Sequence, residues 1–523
     1  MAYTSNEAPI SFGRGFSLDV KLYLCATMIS RFHLSRKLII GFIGIYIIRF
    51  LITQFMGIMP QDAYYYLYSE NLALSYFDHP PMVAYMLKLS STLFGQSVLV
   101  IKLTDFTISF FAFISFYYLS TFFLSKRKAI YAAILYGSTL QLTILSVNTT
   151  PDVPLLFFWT ITLIVLYKTL SQKKLYLWIL SGVLIGLSFN SKYTGLFLLL
   201  GLILFIMMSK NHRHLLFSKQ IFVTLFFILI TVSPIIYWNI KNEWISFAFQ
   251  TTERANEIAR LSLKPKYFLG TLGTQMVLLV PFFFCGMVFI LFKLSKKMIK
   301  KKAFLGDETN FLLAFSIPII AFFFSVSLFY WVKLNWLMPG YITASILVSI
   351  YLSRKLLVYQ VITSLIFHIL FFIQVAFYVV PINSDDTWFG WKQLADKVET
   401  VRKEQPDSFI FSSDGYKTSA VLNFYMDEHV YSGNIVGKNG LQFSIIDSDL
   451  DHLTAKDAYY ITSENNFKNL SESNKIPAEL KNYFSQVTEL KPIIIEDRKL
   501  SPVRKFLVFK CIGYTNKADN NKK

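Results

Sequence analysis

The stretch from residue 57 to 95 concentrates the side chains best suited to chemistry. It contains Asp62, the pair Asp78-His79 ahead of two prolines, and six tyrosines. A carboxylate at the edge of a bilayer could remove the proton of an acceptor hydroxyl as a general base, provided that it lies within hydrogen-bond reach. Because charge is costly near lipid, it tends to mark function there. Asp62 and Asp78 are therefore candidate catalytic residues.

Each acid on this part of the chain also has a purely structural interpretation. Asp62 precedes a helical stretch and could cap it, because aspartate accepts from the free N–H groups of a first turn. Asp78 could clamp its own loop, where the chain is held extended before proline. Asp152 opens an apolar run and could cap that run. Lys102 and Asp105 lie one turn apart and could simply pair.

Composition indicates a polytopic membrane protein. Of 523 residues, 54% are hydrophobic and 16% are charged, whereas soluble domains carry about 25% charged residues. The net charge of +19 arises from short Lys and Arg clusters between apolar runs, as expected from the bias that orients membrane proteins. The sequence lacks the basic stripe with interleaved aromatic residues that nucleic-acid binding needs. The three cysteines have no metal-ligand spacing and support no disulfide framework.

Apolar runs recur through the first three quarters of the chain. A helix needs about 20 apolar residues to cross ~30 Å of hydrocarbon. The eleven predicted spans are 38–56, 97–124, 129–147, 153–170, 175–190, 193–209, 215–238, 268–292, 311–330, 336–352 and 357–380. Residues 1–37 lack the apolar core and cleavage site of a secretory signal. They are predicted to be a cytoplasmic segment, followed by a transmembrane domain over 38–381.

The connections between the runs predict the orientation in the membrane. With the N-terminus in the cytoplasm, every inside loop is basic, as the positive-inside rule requires. The outside connections then hold nearly all of the polar residues that could take part in catalysis or binding. These connections are 57–95, 148–152, 190–193, 239–267 and 331–335.

Cations on the outer face could hold the phosphate of a lipid, Arg by bidentate contact and Lys as a point charge. Lys192 and Lys333 lie in very short turns between runs, where a solvated stem has little room. Arg254 lies in a longer connection. The alternative for each cation is a stem that runs along lipid with its charge at the headgroups. The outer tyrosines and tryptophans could stack on sugars or belong to the interfacial belt of any membrane protein.

After Pro381 the charge rises and the long apolar runs stop. An odd number of spans places this part outside. Residues 382–523 are therefore predicted to be a small soluble α/β domain on the extracytoplasmic face. Within it we expect a helix over 389–404, from apolar residues at helical spacing. The expected strands are 409–412, 441–446, 458–462, 492–496 and 505–513.

Seven motifs in order along the chain resemble glycosyltransferase family 39, the polyprenyl-phosphate-sugar-dependent enzymes related to the protein mannosyltransferases and the lipid A aminoarabinose transferases. The segment LSYFDHPPMVAY at 74–85 is nearly identical to the bacterial members' first outer loop. The other motifs are PQDAYYYLYS (60–69), TPDVPLLFFW (150–159), SKYTGLFLL (191–199), PIIYWNIKNEWISFAFQ (234–250), KLNWLMPGY (333–341) and RKFLVFKCIGY (504–514).

The resemblance implies an α-helical polytopic GT-C membrane protein of about 11 spans with a small C-terminal α/β domain. It implies transfer of one sugar, with inversion, from a polyprenyl-phosphate carrier to a hydroxyl of an envelope lipid, glycan or protein. The site would lie at the outer face of a bacterial inner membrane. No cofactor is required by the resemblance. A divalent cation could bind, although no close acidic pair demands one.

The resemblance also assigns roles to residues. Asp62 would be the base, with Asp78 and His79 shaping the acceptor pocket. The donor side would be formed by Asp152 as a secondary acid, by Lys192, Lys333 and Arg254 at the lipid phosphate, and by Asn335 and Trp336 lining the cavity.

One position departs from the family pattern. The family's adjacent Asp-Glu falls on Gln61 and Asp62, so the first acid, taken as the base in relatives, is an amide here. Either Asp62 takes over through a small shift of the loop helix, or the outer loop is used differently. Gln61 gives weight to a catalytically inactive scaffold for envelope assembly. A transporter or flippase of polyprenyl-linked glycans would predict inverted repeats and helices broken near the midplane, and neither is evident in the sequence.

Overall fold

The computed structural model describes residues 36–172, 174–253, 262–301, 305–464, 469–473 and 475–516. Nearly all of the predicted N-terminal segment 1–37 lies outside these residues. The helices of the apolar part are α1 (Arg36–Phe55), α2 (Pro60–Glu70), α3 (Met82–Phe94), α4 (Val98–Ser120), α5 (Lys126–Gly137), α6 (Leu140–Leu145), α7 (Asp152–Gln172), α8 (Leu175–Ser191), α9 (Leu196–Met208), α10 (Lys219–Lys241), α11 (Ile245–Ala248), α12 (Pro265–Leu279), α13 (Pro281–Lys301), α14 (Asp307–Ala314), α15 (Ile317–Val326), α16 (Met338–Tyr351) and α17 (Arg354–Phe377).

The described helices include six segments long and apolar enough to cross a bilayer, and a seventh if the bent pair α12 and α13 counts as one span. The predicted spans at 175–190, 193–209 and 336–352 are shorter apolar helices. Each remaining prediction coincides with a long helix or a helix pair. The predicted architecture of a polytopic helical membrane protein is therefore confirmed.

The predicted span 268–292 is wrong as a single straight helix. α12 ends at Leu279, and α13 leaves it at an angle of 115°. Val280 at the break has a positive φ of 66°, and Pro281 follows it. Proline lacks an N–H donor and its ring clashes with the carbonyl four residues back, so it disrupts a continuous helix.

Polar side chains of other spans satisfy the backbone groups that such breaks expose. Gln360 of α17 donates to Leu279 O at 3.0 Å and accepts from Phe283 N at 3.1 Å. At the break between α5 and α6, Arg49 of α1 donates to Gly137 O at 2.8 Å. An unpaired peptide group costs several kcal/mol in hydrocarbon. These side chains therefore make broken spans tolerable.

Two helices, α2 and α3, form the first outer loop. Pro60 occupies the first position of α2, where its missing N–H would have no intrahelical partner. The helix turns its side chains to three surroundings. Tyr64 and Tyr68 face Asp78 of the following loop, Asp62 faces α4, and Tyr66 packs against the C-terminal domain.

The C-terminal domain contains α18 (Trp391–Arg402), β1 (Phe409–Phe411), α19 (Lys417–Tyr425), β2 (Val430–Tyr431), α20 (Gln442–Ile446), β3 (Ala458–Glu464), α21 (Leu480–Tyr483), β4 (Phe484–Glu496) and β5 (Pro502–Tyr514). The strand order is β2-β1-β3-β5-β4. β1 pairs in parallel with β2 and β3, and β5 lies antiparallel between β3 and β4. The predicted small α/β domain is confirmed; its boundary at residue 382 stays a prediction.

One predicted strand is wrong and one strand was missed. Residues 442–446 form helix α20 rather than a strand, and β2 is only two residues long. The aromatic residues Phe409, Phe484 and Tyr514 close the core beneath the sheet. The N-terminal ends of α19 and α20 lie on the side of the domain that meets α2, because Tyr416 and Gln442 both contact Tyr64.

Candidate active site

Asp62 is enclosed by protein and fixes the start of the outer loop to the neighbouring helices. Its side chain is fully buried and forms an ion pair with Lys102 of α4, which is also fully buried. Its oxygens also accept from Met59 N at 2.7 Å and from Thr149 N at 2.8 Å. The helix begins at Pro60, so Asp62 lies in the first turn and not at the cap position itself. In this conformation an acceptor hydroxyl has no path to its carboxylate.

The expectation that Lys102 pairs with Asp105 is wrong. Lys102 donates to Asp62 and, at 2.5 Å, to Val147 O. Asp105 instead accepts from the Thr149 hydroxyl at 2.6 Å. Lys102 therefore ties the outer loop and the connection after α6 to the second span.

Asp78 lies at the edge of a tyrosine cluster. Tyr68 donates a short hydrogen bond to Asp78 Oδ1, and Tyr64 donates to the same oxygen at 3.4 Å. Oδ2 lies 4.0 Å from His79 Nε2. The Asp78 side chain keeps 12% of its surface exposed, whereas that of Asp62 keeps none. Of these two candidate carboxylates, Asp78 is therefore the one closer to solvent.

The tyrosines around Asp78 stay protonated donors. Burial raises the pKa of Tyr64 and of Tyr68 well above the ordinary value, and the negative charge of Asp78 raises both further. A neutral phenol can donate to a carboxylate, whereas a phenolate would repel it. Asp78 thus keeps two phenol donors across the neutral and moderately alkaline range.

Asp152, Lys192 and Asn335 form one cluster. Lys192 Nζ donates to both oxygens of Asp152, at 2.9 and 2.8 Å, and Asn335 Nδ2 donates to Oδ2 at 2.5 Å. These residues come from three connections that the sequence analysis placed on one face. Asp152 is 1% exposed and Lys192 is 7% exposed. A buried ammonium in this position is held by its carboxylate and does not extend to headgroups.

Tyr65 links the two clusters electrostatically. Burial raises the pKa of its phenol well above the ordinary value, followed by the charges of Asp78 and, more weakly, Asp152. Its ring centroid lies 5.9 Å from that of His79. The charges of Asp78 and Asp152 therefore both act on the Tyr65 phenol.

The remaining predicted residues are more peripheral. The Lys333 side chain is exposed, and the Trp336 ring stacks on Tyr330 with a centroid distance of 6.3 Å. Arg254 lies outside the described residues. Within the described ranges, no group of three or more His, Cys, Asp or Glu side chains could hold a metal ion.

Sequence reasoning expected the C-terminal domain to share in the acceptor pocket but did not identify which of its residues contact the outer loop. The ring of Tyr416 stacks on Tyr64 at 4.2 Å, and Gln442 accepts from Phe77 N at 2.8 Å. The Gln61 amide, at the position of the family's first acid, donates to Asp386 Oδ1 at 3.1 Å. No local motif marks these residues, because their partners are more than 300 positions away in sequence.

Comparisons with known proteins agree with this architecture. Residues 78–238, which include Asp78, Asp152 and Lys192, match the family model described as dolichyl-phosphate-mannose-protein mannosyltransferase. The crystal structure of ArnT from Cupriavidus metallidurans bound to undecaprenyl phosphate aligns with a TM-score of 0.59 and 11% identity, over 91% of this chain and 98% of that one. The apo state of the same protein gives 0.58 and 12%, over 94% and 98%. No curated protein sequence matches the chain.

The structural matches span almost the whole of both chains, whereas the family model covers the membrane part between Asp78 and Trp238. Together they agree with the resemblance that the motifs predicted: the chain shares the fold of the membrane protein ArnT, and residues 78–238 are similar to the mannosyltransferase family.

Proposed function

We propose that the protein transfers a single sugar from a polyprenyl-phosphate carrier to a hydroxyl acceptor. The observation that carries this proposal is that the outer connections hold both a carboxylate with phenol donors, Asp78, and a buried, carboxylate-held lysine, Lys192. A base and a cation are the two groups that direct displacement at a sugar phosphate needs. The matched solved structure is described with undecaprenyl phosphate bound, which supports a carrier of that chemical class.

In the proposed reaction the acceptor oxygen attacks the anomeric carbon as its proton passes to a carboxylate. The bond from that carbon to the carrier's phosphate oxygen breaks, so the anomeric configuration inverts and polyprenyl phosphate leaves. We assign the base to Asp78, because Asp62 is enclosed and serves as the loop's anchor. Preorganised positive charge at the leaving phosphate stabilises the transition state. Lys192 is assigned this role, with Asp152 and Asn335 orienting it.

The proposal places the reaction at the extracytoplasmic face of the bacterial inner membrane. Its support is the charge of the connections: the ends opposite the site carry the Lys and Arg clusters that the positive-inside rule assigns to the cytoplasm. The acceptor is proposed to be an envelope lipid, glycan or protein, and the C-terminal domain would share its recognition.

A flippase remains the second candidate because of one observation. The sequence predicted no broken span, yet α12 and α13 meet at a sharp break, a feature of transporters when it lines a substrate path. Here the backbone groups Leu279 O and Phe283 N are both bound by Gln360. The break is therefore closed by protein, which favours a structural role over a path for substrate.

The deciding experiment uses the full-length protein in nanodiscs, a radiolabelled polyprenyl-phosphate-hexose and a membrane extract as acceptor. Wild type should transfer label to the extract, and Asp78→Asn should not. If wild type is inert but Gln61→Asp transfers, the protein is a lapsed enzyme with a scaffolding role. If wild type is inert in this assay but moves the labelled carrier across a vesicle membrane, the flippase alternative is correct.

A further inference from the structure

The C-terminal domain contacts the Asp78 loop through Gln442. The backbone N–H of Phe77, the residue before Asp78, donates to Gln442 Oε1 at 2.8 Å. Gln442 is 3% exposed, so water does not compete for this bond. Since the partners are 365 residues apart, the bond exists only when the C-terminal domain is docked.

A second contact from the same residue reaches Asp78 through Tyr64. The backbone N–H of Gln442 donates to the Tyr64 oxygen at 3.2 Å, and the Tyr64 hydroxyl donates to Asp78 Oδ1 at 3.4 Å. The oxygen that accepts from Gln442 therefore directs its own hydrogen toward the carboxylate. Consecutive hydrogen bonds of this kind polarise one another in a buried setting. Stacking of Tyr416 on the Tyr64 ring holds the phenol in place.

The backbone before Gln442 is strained. Leu441 has φ 55° and ψ −125°, a conformation that non-glycine residues rarely adopt. Such residues persist only where the surrounding structure holds them, and they cluster at functional sites. Leu441 directly precedes Gln442, whose N–H and side chain both contact the outer loop.

We propose that Gln442 is a positioning residue of the sugar-transfer site. Through Phe77 and Tyr64 it fixes the orientation of Asp78, so the C-terminal domain is part of the active site and transfer requires the domain to be docked. This inference rests on the proposed function. Within the part of the chain that the structure describes, the titratable groups that face Asp78 include Tyr64, Tyr65 and Tyr68 of α2, His79, Tyr193 of the connection after α8, and Tyr416 of the C-terminal domain.

The test compares two substitutions at Gln442 with a matched control in the full-length protein. Gln442→Met keeps the length of the side chain but offers no acceptor to Phe77 N–H. We expect kcat to fall roughly 10-fold with the donor KM unchanged, which is the effect of one lost buried hydrogen bond. Gln96→Ala removes another interdomain bond from a glutamine, to Phe424 O at 3.1 Å on the exposed surface, and should leave kcat unchanged.

Gln442→Glu separates positioning from simple support of the fold. It restores an acceptor for Phe77 N–H but adds negative charge near Asp78, and a like charge disfavours the ionised carboxylate. We expect partial recovery of kcat and a shift of the acid limb of the pH–rate profile to higher pH. An unchanged kcat in Gln442→Met, an equal loss in Gln96→Ala, or an unshifted profile in Gln442→Glu would overturn the proposal.

Hydrogen exchange tests the contact between Gln442 and Phe77 independently of any sugar-transfer activity. In Gln442→Met the amide of Phe77 should exchange faster than in wild type, while the amides of α7 exchange as before. Faster exchange in a protein that transfers no sugar would support the Gln442–Phe77 contact and contradict the proposed function. Unchanged exchange in an active protein would contradict the positioning role of Gln442 alone.

Discussion

Asp62 and Asp78 belong to one loop, yet their surroundings differ in kind. Asp62 is fully buried and meets an ammonium and two backbone N–H groups. Asp78 meets two phenols, and part of its side chain remains exposed. A carboxylate whose acceptor sites are filled by a permanent cation holds the fold. A carboxylate that accepts from neutral donors and keeps some access to solvent can still receive a proton.

Among the substitutions that test this difference between Asp62 and Asp78, Asp78→Asn should have the largest effect on sugar transfer. If Asp78 is the base, transfer should fall by roughly 10²–10⁴-fold, the usual contribution of general base catalysis. The fold should survive, since an amide oxygen still accepts from Tyr68. The measurement is the rate of label transfer alongside thermal unfolding of the same preparation. An unchanged rate would remove Asp78 from the mechanism.

Asp62→Asn should act on stability rather than on chemistry. It leaves Lys102 buried without its counter-charge, a change that costs about 3–5 kcal/mol. The double variant Asp62→Asn/Lys102→Met should recover most of the unfolding free energy because the unpaired ammonium is removed as well. Thermal unfolding in detergent measures both. A stable Asp62→Asn protein that transfers no sugar would instead return the base to Asp62.

Lys192→Met tests the proposed role of Lys192 at the donor phosphate. Loss of a charged hydrogen-bond donor is worth about 1.5–3 kcal/mol, so kcat/KM for the donor should fall roughly 10- to 150-fold. Lys192→Arg keeps the charge and should retain more activity. The comparison of kcat/KM values checks this expectation, and equal values for the two variants would argue against a charge-dependent role.

Gln61→Asp should have the smallest effect. The new carboxylate would face Asp386, which now accepts from the Gln61 amide at 3.1 Å. Repulsion between exposed groups is weak, so unfolding should change by less than about 1 kcal/mol. With Asp78 as the base, we expect the transfer rate to stay within a few-fold of wild type. A large gain of activity would show that glutamine at position 61 is what makes the wild-type protein inactive.

Much of the fold could be predicted from the sequence because spans are encoded by the length of apolar runs. The breaks within them are harder to predict. Pro281 ends the α12 helix, whereas Pro234 lies inside a continuous α10. Both are prolines in apolar runs, and only the presence of a partner such as Gln360 distinguishes a tolerated break from a costly one. That partner lies in another span, so no local pattern reveals it.

The common face of several candidate residues could be predicted from the sequence, but their pairing could not. The connections that carry Asp152, Lys192 and Asn335 were assigned to one face, and the structure joins these residues directly. The ion pair of Asp62 with Lys102 spans 40 residues and was not foreseen. Residue 442 was expected in a strand, and α20 instead presents its N-terminal end to the outer loop. Such pairings depend on tertiary distances that hydropathy and spacing do not encode.

The break between α12 and α13 has a consequence for biosynthesis. The carbonyl of Leu279 and the N–H of Phe283 can bond to Gln360 only after Gln360 has been synthesised, 81 and 77 residues later. At about 5–20 residues per second, that delay lasts roughly 4–16 s. During this interval the unfinished segment must keep its polar groups near water or an insertion factor. We therefore expect α12 and α13 to reach their final burial only after α17 has been made.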